Sequence, residues 1–170
     1  MKVIEKQRNA RKCIVCGLEN DFGIKANFYN MEDGSCGCLL TYKEVHQSYP
    51  ERTHGGMISA VLDEVMGRAL WFVEPNVFAC TTTLNITFRK AVPYGVPLKA
   101  RGILTHNSKM FFSAKGYIYD MDNHLLAEGS SKYVKLSYEK ISGKGVDLDN
   151  EMKYKIQDGI TEIDFPPIKD

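Results

Sequence analysis

Between Met57 and Val73 apolar residues return every third or fourth place, at Ile58, Val61, Leu62, Val65, Ala69 and Phe72, and Pro75 lies two residues beyond the end. That spacing predicts an α-helix. Met57, Ala60, Met66, Leu70, Trp71 and Val73 fill most of the remaining circumference. A helix apolar nearly all round is buried in protein or spans a membrane. Seventeen residues carrying two acids and an arginine are too short and too charged for a span, so a sheet must wrap this one. Gly56, Ser59, Asp63 and Gly67 fall together on the helical wheel and form a narrow polar seam in that surface. Asp63 is therefore expected in surroundings that shift its pKa.

Elsewhere the period is two. Residues 24–30 alternate as a strand, Glu32-Asp33-Gly34 turns, and residues 36–45 return as the hairpin partner. A loop over 47–52 feeds the helix. After it, residues 78–92 alternate, with Phe78, Cys80, Leu84, Ile86 and Phe88 on a core-facing side and Thr81, Thr83, Asn85, Thr87 and Arg89 on the other. Pro93-Tyr94-Gly95 turns into a strand over 98–105, and runs at 110–119 and 125–136, separated by Asp120 to His124, read as a closing hairpin. Short turns between consecutive strands predict antiparallel pairing. The fold class is therefore α+β, an antiparallel sheet wrapped around one long central helix. Its domain covers residues 13–138. Residues 1–12 are charged and read as helical or loose. Residues 139–170 are polar, with Gly143, Gly145, Pro166 and Pro167, and read as an irregular tail or a partner-contacting extension.

At 170 residues the chain is long enough for one domain with a real core. Its 22 basic and 21 acidic residues leave a net charge of +1, which argues against non-specific binding of nucleic acid. The start Met-Lys-Val-Ile-Glu-Lys-Gln-Arg lacks the apolar run of a secretory signal, so a cytoplasmic location without a membrane partner is expected. Five cysteines in such a setting are expected as thiols. Cys13, Cys16, Cys36 and Cys38 could be combined into four zinc ligands. Their spacing is not that of a zinc finger, and Cys36 and Cys38 share one face of a strand, where thiols pack as small hydrophobes. A redox role for the Cys13–Cys16 pair lacks the usual strand-then-helix context. No metal is expected, and His46, His106 and His124 show no ligand spacing.

Chemistry concentrates at residues 53–64. The glycine pair Gly55-Gly56 frees N–H groups at a helix start, where the dipole's positive end favours a developing oxyanion, and Asp63 follows two turns later. Glu64, one place off the polar seam, reads as a solvated or interface charge. His54 reads as an orienting hydrogen-bond partner rather than a base. Thr81 lies by alternation on the face opposite the core, so only a bulge or a subunit contact brings it to Asp63.

His54-Gly55-Gly56, Asp63 nine positions after the histidine and Leu84-Asn85-Ile86-Thr87-Phe88-Arg89 in the next strand resemble the PaaI-like hotdog-fold acyl-CoA thioesterases. Cys13-x-x-Cys16-Gly17 and Gly23-Ile24-Lys25 are similar to the beginning of such proteins, and the resemblance covers about residues 13–136. It implies a hotdog fold, hydrolysis of acyl-CoA thioesters without a cofactor, and a homodimer or dimer of dimers. It also implies that the Gly55 N–H polarises the thioester carbonyl, that Asp63 acts as nucleophile or general base, and that the Thr81 hydroxyl assists. Some relatives carry an asparagine six residues before the histidine as a second carbonyl donor; here Ser48 stands there, beside Gln47. Gly56 and Ser59 are expected as further substrate contacts, and Arg89, Lys90, Lys109 and Lys132 are candidates for the coenzyme A phosphates.

A helix rises about 1.5 Å per residue, so Gly55 and Asp63, eight residues apart, are about 12 Å apart along the axis. They cannot serve one carbonyl within one chain. The expected site therefore joins Gly55 of one protomer to Asp63 of its mate. Two other readings exist: a non-catalytic acyl-CoA-binding sensor or scaffold of the same fold, and a dehydratase of hydroxyacyl chains. The latter relies on a catalytic histidine in a different motif from His54-Gly55-Gly56.

Overall fold

The computed structural model describes residues 1–75, 77–142 and 145–167. Gly143, part of the expected tail, lies outside them. In chain order the elements are β1 (Val3–Lys6), β2 (Arg8–Asn9), β3 (Asn27–Met31), β4 (Cys36–Thr41), α1 (Gly55–Arg68), β5 (Phe78–Phe88), β6 (Pro97–Asn107), β7 (Phe111–Tyr119), β8 (Leu125–Leu136), α2 (Tyr138–Ser142), α3 (Leu148–Glu151) and β9 (Tyr154–Lys155). Seven strands form one antiparallel sheet in the order β1-β3-β4-β6-β7-β8-β5, and α1 lies against its concave face, chiefly on β6, β7 and β8. The expected fold class holds.

Helix α1 begins two residues before the apolar stripe because His54 caps it, its ring Nδ1 accepting the Gly56 N–H at 2.9 Å. It ends earlier than the periodicity indicated: after Arg68 the chain tightens into a 3₁₀ turn over Ala69–Phe72. Ile58, Val61, Leu62, Val65 and Met66 are buried against the sheet. The contact is close enough that β6 and β7 carry glycine beneath the helix. A Cβ on Gly102 would stand 2.1 Å from the Val65 carbonyl oxygen, a backbone atom that cannot swing aside. Gly102→Ala is therefore expected to lower stability by about 3 kcal/mol, the upper end of ordinary overpacking. Denaturant titration checks this, and an unchanged midpoint would mean that the helix rides higher on the sheet than described.

Two segments differ from expectation. Residues 1–12 are neither helical nor loose: β1 pairs with β3 as an edge strand of the main sheet, and β2 pairs with β9. The tail packs on its own chain. Ile163 and Phe165 are buried with Tyr29, Met31 and Tyr119 on the sheet's outer face, and the Ile163 N–H donates to the Met1 carbonyl. Glu19 fastens the tail from the other side, accepting from Arg11 and from the Tyr154 hydroxyl at 2.6 Å. These donors draw the Glu19 carboxyl down to about 2. Among the described residues no helix is long and apolar enough to cross a membrane.

The third difference is in β5. Its pairing with β8 slips between Thr81 and Thr83, a bulge that reverses which face each side chain meets. Ala79 and Thr81 face the helix before the bulge, whereas Ile86 and Phe88 do so after it. Phe78, read as core-facing, instead packs edge-on against Trp71 and tilted against Tyr138. The strand is the sheet's free edge and is half or fully exposed along its length.

Candidate active site

Asp63 sits on the half-buried seam of α1, two turns from the start of the helix. The bulge in β5 brings Thr81 to it, and the Thr81 hydroxyl donates to Asp63 Oδ1 at 2.8 Å. Thr81 pairs across the ladder with Tyr133, whose hydroxyl lies 2.9 Å from the Asp63 carbonyl oxygen and 3.2 Å from Oδ1. Burial pushes the Asp63 carboxyl above the usual carboxylate range, while the two hydroxyls pull it part of the way back. The result is a positioned carboxylate of raised basicity, the property a general base needs. Tyr133 is held by stacking on Phe112 with centroids 4.5 Å apart.

Asp63, Thr81 and Tyr133 share the wall of a cavity of about 390 Å³ with Trp71, Val77 and Ile141. Ile141 and Met152 reach it from the tail, so residues expected to be an irregular extension help to close the cavity. A larger cavity, about 590 Å³, lies over Lys115, Tyr117 and Glu128 on the outer face of the sheet. The Asp63 cavity is the candidate site nonetheless, because the larger cavity holds none of the residues that combine burial with a perturbed carboxylate.

The helix start is a separate place. His54 and Gly56 are exposed, and the Gly55 N–H makes no hydrogen bond among the described residues, while the Phe88 ring lies 3.4 Å from where a Gly55 Cβ would stand. The Gly56 N–H, expected as a substrate contact, is already given to His54. The Ser59 hydroxyl is likewise occupied, donating to the Gly55 carbonyl at 2.9 Å. Gln47 and Ser48 lie in the exposed loop ahead of the helix. Gln47 Oε1 accepts from the Tyr94 hydroxyl, and the Ser48 N–H donates to the Arg52 carbonyl. Arg89 is ion-paired, with Nε 2.7 Å and an Nη 2.5 Å from one Glu128 oxygen. Lys90, Lys109 and Lys132 are exposed. The structure thus gathers Asp63 and Thr81 and sets Gly55 and His54 apart from them.

The four cysteines do not converge. Cys36 and Cys38 are buried in β4, where burial pushes Cys36 up to about 12 and Cys38 well above its ordinary value. Cys13 and Cys16 lie instead beside Glu64. Glu64 is not a solvated charge: its Oε1 accepts from Arg68 Nε at 2.8 Å, and Arg68 is buried between the Phe28 and Trp71 rings, 4.4 and 4.7 Å from their centroids. Burial alone would pull this guanidinium down, but Glu64 holds it above its ordinary value.

A sheet of this order folded over a single long helix, with an acid on the helix and glycine at its capped start, is the hotdog fold. Residues 52–127 match the family model of the thioesterase superfamily. Solved structures agree on the fold. A thioesterase superfamily protein superposes with a TM-score of 0.66 at 24% identity, over 73% of this chain and 63% of that one. The E. coli PaaI protein from the phenylacetic acid degradation operon gives 0.60 at 17%, over 67% of this chain and 81% of that one. A Bacillus halodurans protein solved with CoA gives 0.57 at 25%, over 64% and 72% respectively. No curated protein matches the chain.

Proposed function

We propose that the protein hydrolyses acyl-CoA thioesters at a site shared by two protomers, with Asp63 as base or nucleophile and the Gly55 N–H of the mate as oxyanion donor. The observation that carries this reading is the placement of Asp63: a carboxylate of raised basicity, fixed by Thr81 and Tyr133, on a cavity of acyl size. A thioester is reactive enough for one such carboxylate and an oxyanion donor to suffice. The CoA bound in the Bacillus halodurans neighbour supports the substrate class.

The way β5 connects the two halves supports a shared site. Thr81 near its start touches Asp63, and Phe88 at its end lies against Gly55. An unpaired, exposed edge of 11 residues invites a partner strand. Two copies joined antiparallel along β5 by a two-fold axis would set the Thr81 end of one strand beside the Phe88 end of the other. Asp63 of each protomer would then face Gly55 of its mate. Arg89, neutralised by Glu128, is a weaker candidate for the coenzyme A phosphates than Lys90.

Release of free thiol across a panel of acyl-CoA thioesters tests the reading. Multiple turnovers with at least one acyl group are expected. Saturable CoA binding without turnover would instead make the protein a sensor or scaffold of the same fold.

Tyr133→Phe keeps the ring on Phe112 and removes one donor from the Asp63 carboxylate. A hydrogen bond to a charged group contributes roughly 1.5–3 kcal/mol, so kcat should fall about 10- to 100-fold with little change in KM. Steady-state kinetics on a CoA thioester decide it. An unchanged kcat would show that the hydroxyl serves packing rather than Asp63.

A further inference from the structure

The Cys13–Cys16 pair has no part in the hydrolysis proposed above, yet it forms one wall of the same cavity with Glu64 and Arg68. Cys13 and Cys16 are the two ends of a tight turn closed by the Gly17 N–H on the Cys13 carbonyl, and Glu64 reaches them from α1. One thiolate-forming sulfur from each cysteine and one Glu64 oxygen all lie within 4.8 Å of one another.

The distances fit an ion. With metal–sulfur bonds of about 2.3 Å and a metal–oxygen bond of about 2.1 Å, a tetrahedral site separates sulfur from oxygen by roughly 3.6 Å. Cys13 Sγ stands 3.9 Å from Glu64 Oε2. Arg68 supplies the outer support that metal ligands usually have: it holds Glu64 by the other oxygen, Oε1, and an Nη donates to Cys16 Sγ at 3.1 Å. Oε2 is thereby turned toward the sulfurs.

Charge balance favours the same conclusion. As it stands the cluster is neutral, Arg68 against Glu64 with two thiols. A divalent ion that displaces both thiol protons to solvent adds two positive charges and two thiolates, and the buried group is neutral again. Two sulfurs and one oxygen suit zinc better than calcium or magnesium, which prefer all-oxygen shells.

We propose that Cys13, Cys16 and Glu64 bind one zinc-type divalent ion, with the fourth position open to water or a ligand from the Asp63 cavity. This is a different site from the four-cysteine one considered from the sequence. Cys36 and Cys38 have no place in it. The ion clamps the Cys13–Cys16 turn to α1 and so fixes one wall of the cavity, a role independent of whether the protein hydrolyses thioesters.

Cobalt(II) is the probe, added without oxygen to the reduced full-length protein. The expected result is one ion per chain, a thiolate-to-cobalt charge-transfer absorption, two protons released per ion in weak buffer, and bleaching of the absorption by zinc. Cys13→Ser should lose most of the charge-transfer intensity. Glu64→Gln should keep sulfur ligation but weaken binding by at least the roughly 10–100-fold that loss of an outer-shell partner costs. Cys16 is buried, so Cys16→Ser is read only if circular dichroism shows it folded; the wild-type absorption and proton count stand without it. Three results would each overturn the proposal: no charge-transfer absorption at excess cobalt, an absorption that survives Cys13→Ser undiminished, or a Cys13–Cys16 disulfide in protein purified with zinc present.

Discussion

Asp63→Asn is expected to fold as the wild type does and to lose roughly 10²–10⁴-fold in turnover of CoA thioesters, the usual cost of removing a general base. The amide matches the carboxylate in shape and keeps an oxygen for the hydroxyls of Thr81 and Tyr133, 2.8 and 3.2 Å from Oδ1 in the native protein. What it lacks is a basic lone pair to take a proton from water or to attack the carbonyl itself. Because the lesion concerns the chemical step, kcat should carry nearly all of the loss and KM little of it. Stability should be unchanged or slightly higher, since a carboxylate pushed up by burial is replaced with a neutral group. A folded Asp63→Asn protein within about threefold of wild-type kcat would remove Asp63 from the chemistry, because no general-base role is that small.

Much of the fold could be read from the chain because its two periods are clean. The three- and four-residue stripe from Ile58 to Phe72 specified the helix, and the alternating runs after Phe78 specified the strands and their turns. What stayed hidden depended on contacts between distant segments. Strand β1 is short and charged, and it is held partly by the tail, through bonds such as Val3 N–H to the Thr161 carbonyl. Nothing in the first 12 residues encodes that partner. The bulge that turns Thr81 toward Asp63 falls in Thr81-Thr82-Thr83, where three identical side chains erase the change of parity that would have betrayed it. Tyr133 could be recognised only once the β5–β8 register placed it opposite Thr81. Arg68 has the look of a surface cation, and its one signal was the i,i+4 spacing to Glu64 on a helix apolar nearly all round. The hydrogen-bonded states of Gly56 and Ser59 were equally out of reach, since both depend on the cap and backbone of the first turn.

The central claim is that Gly55 and Asp63 of different protomers act on one carbonyl, and mixed dimers test it most directly. One partner carries Asp63→Asn. The other carries Gly55→Pro, which removes the N–H; proline is well tolerated at the first helical position, and the extended backbone of His54, at φ −64° and ψ 135°, suits the residue before it. Each homodimer should be nearly inactive. In the mixed dimer one site would combine both lesions and the other neither, so about half of the wild-type activity per dimer should return. If purified mixed dimers, shown to be folded and paired, stay as inactive as their parents, the two residues do not meet across a subunit boundary and the shared site is wrong.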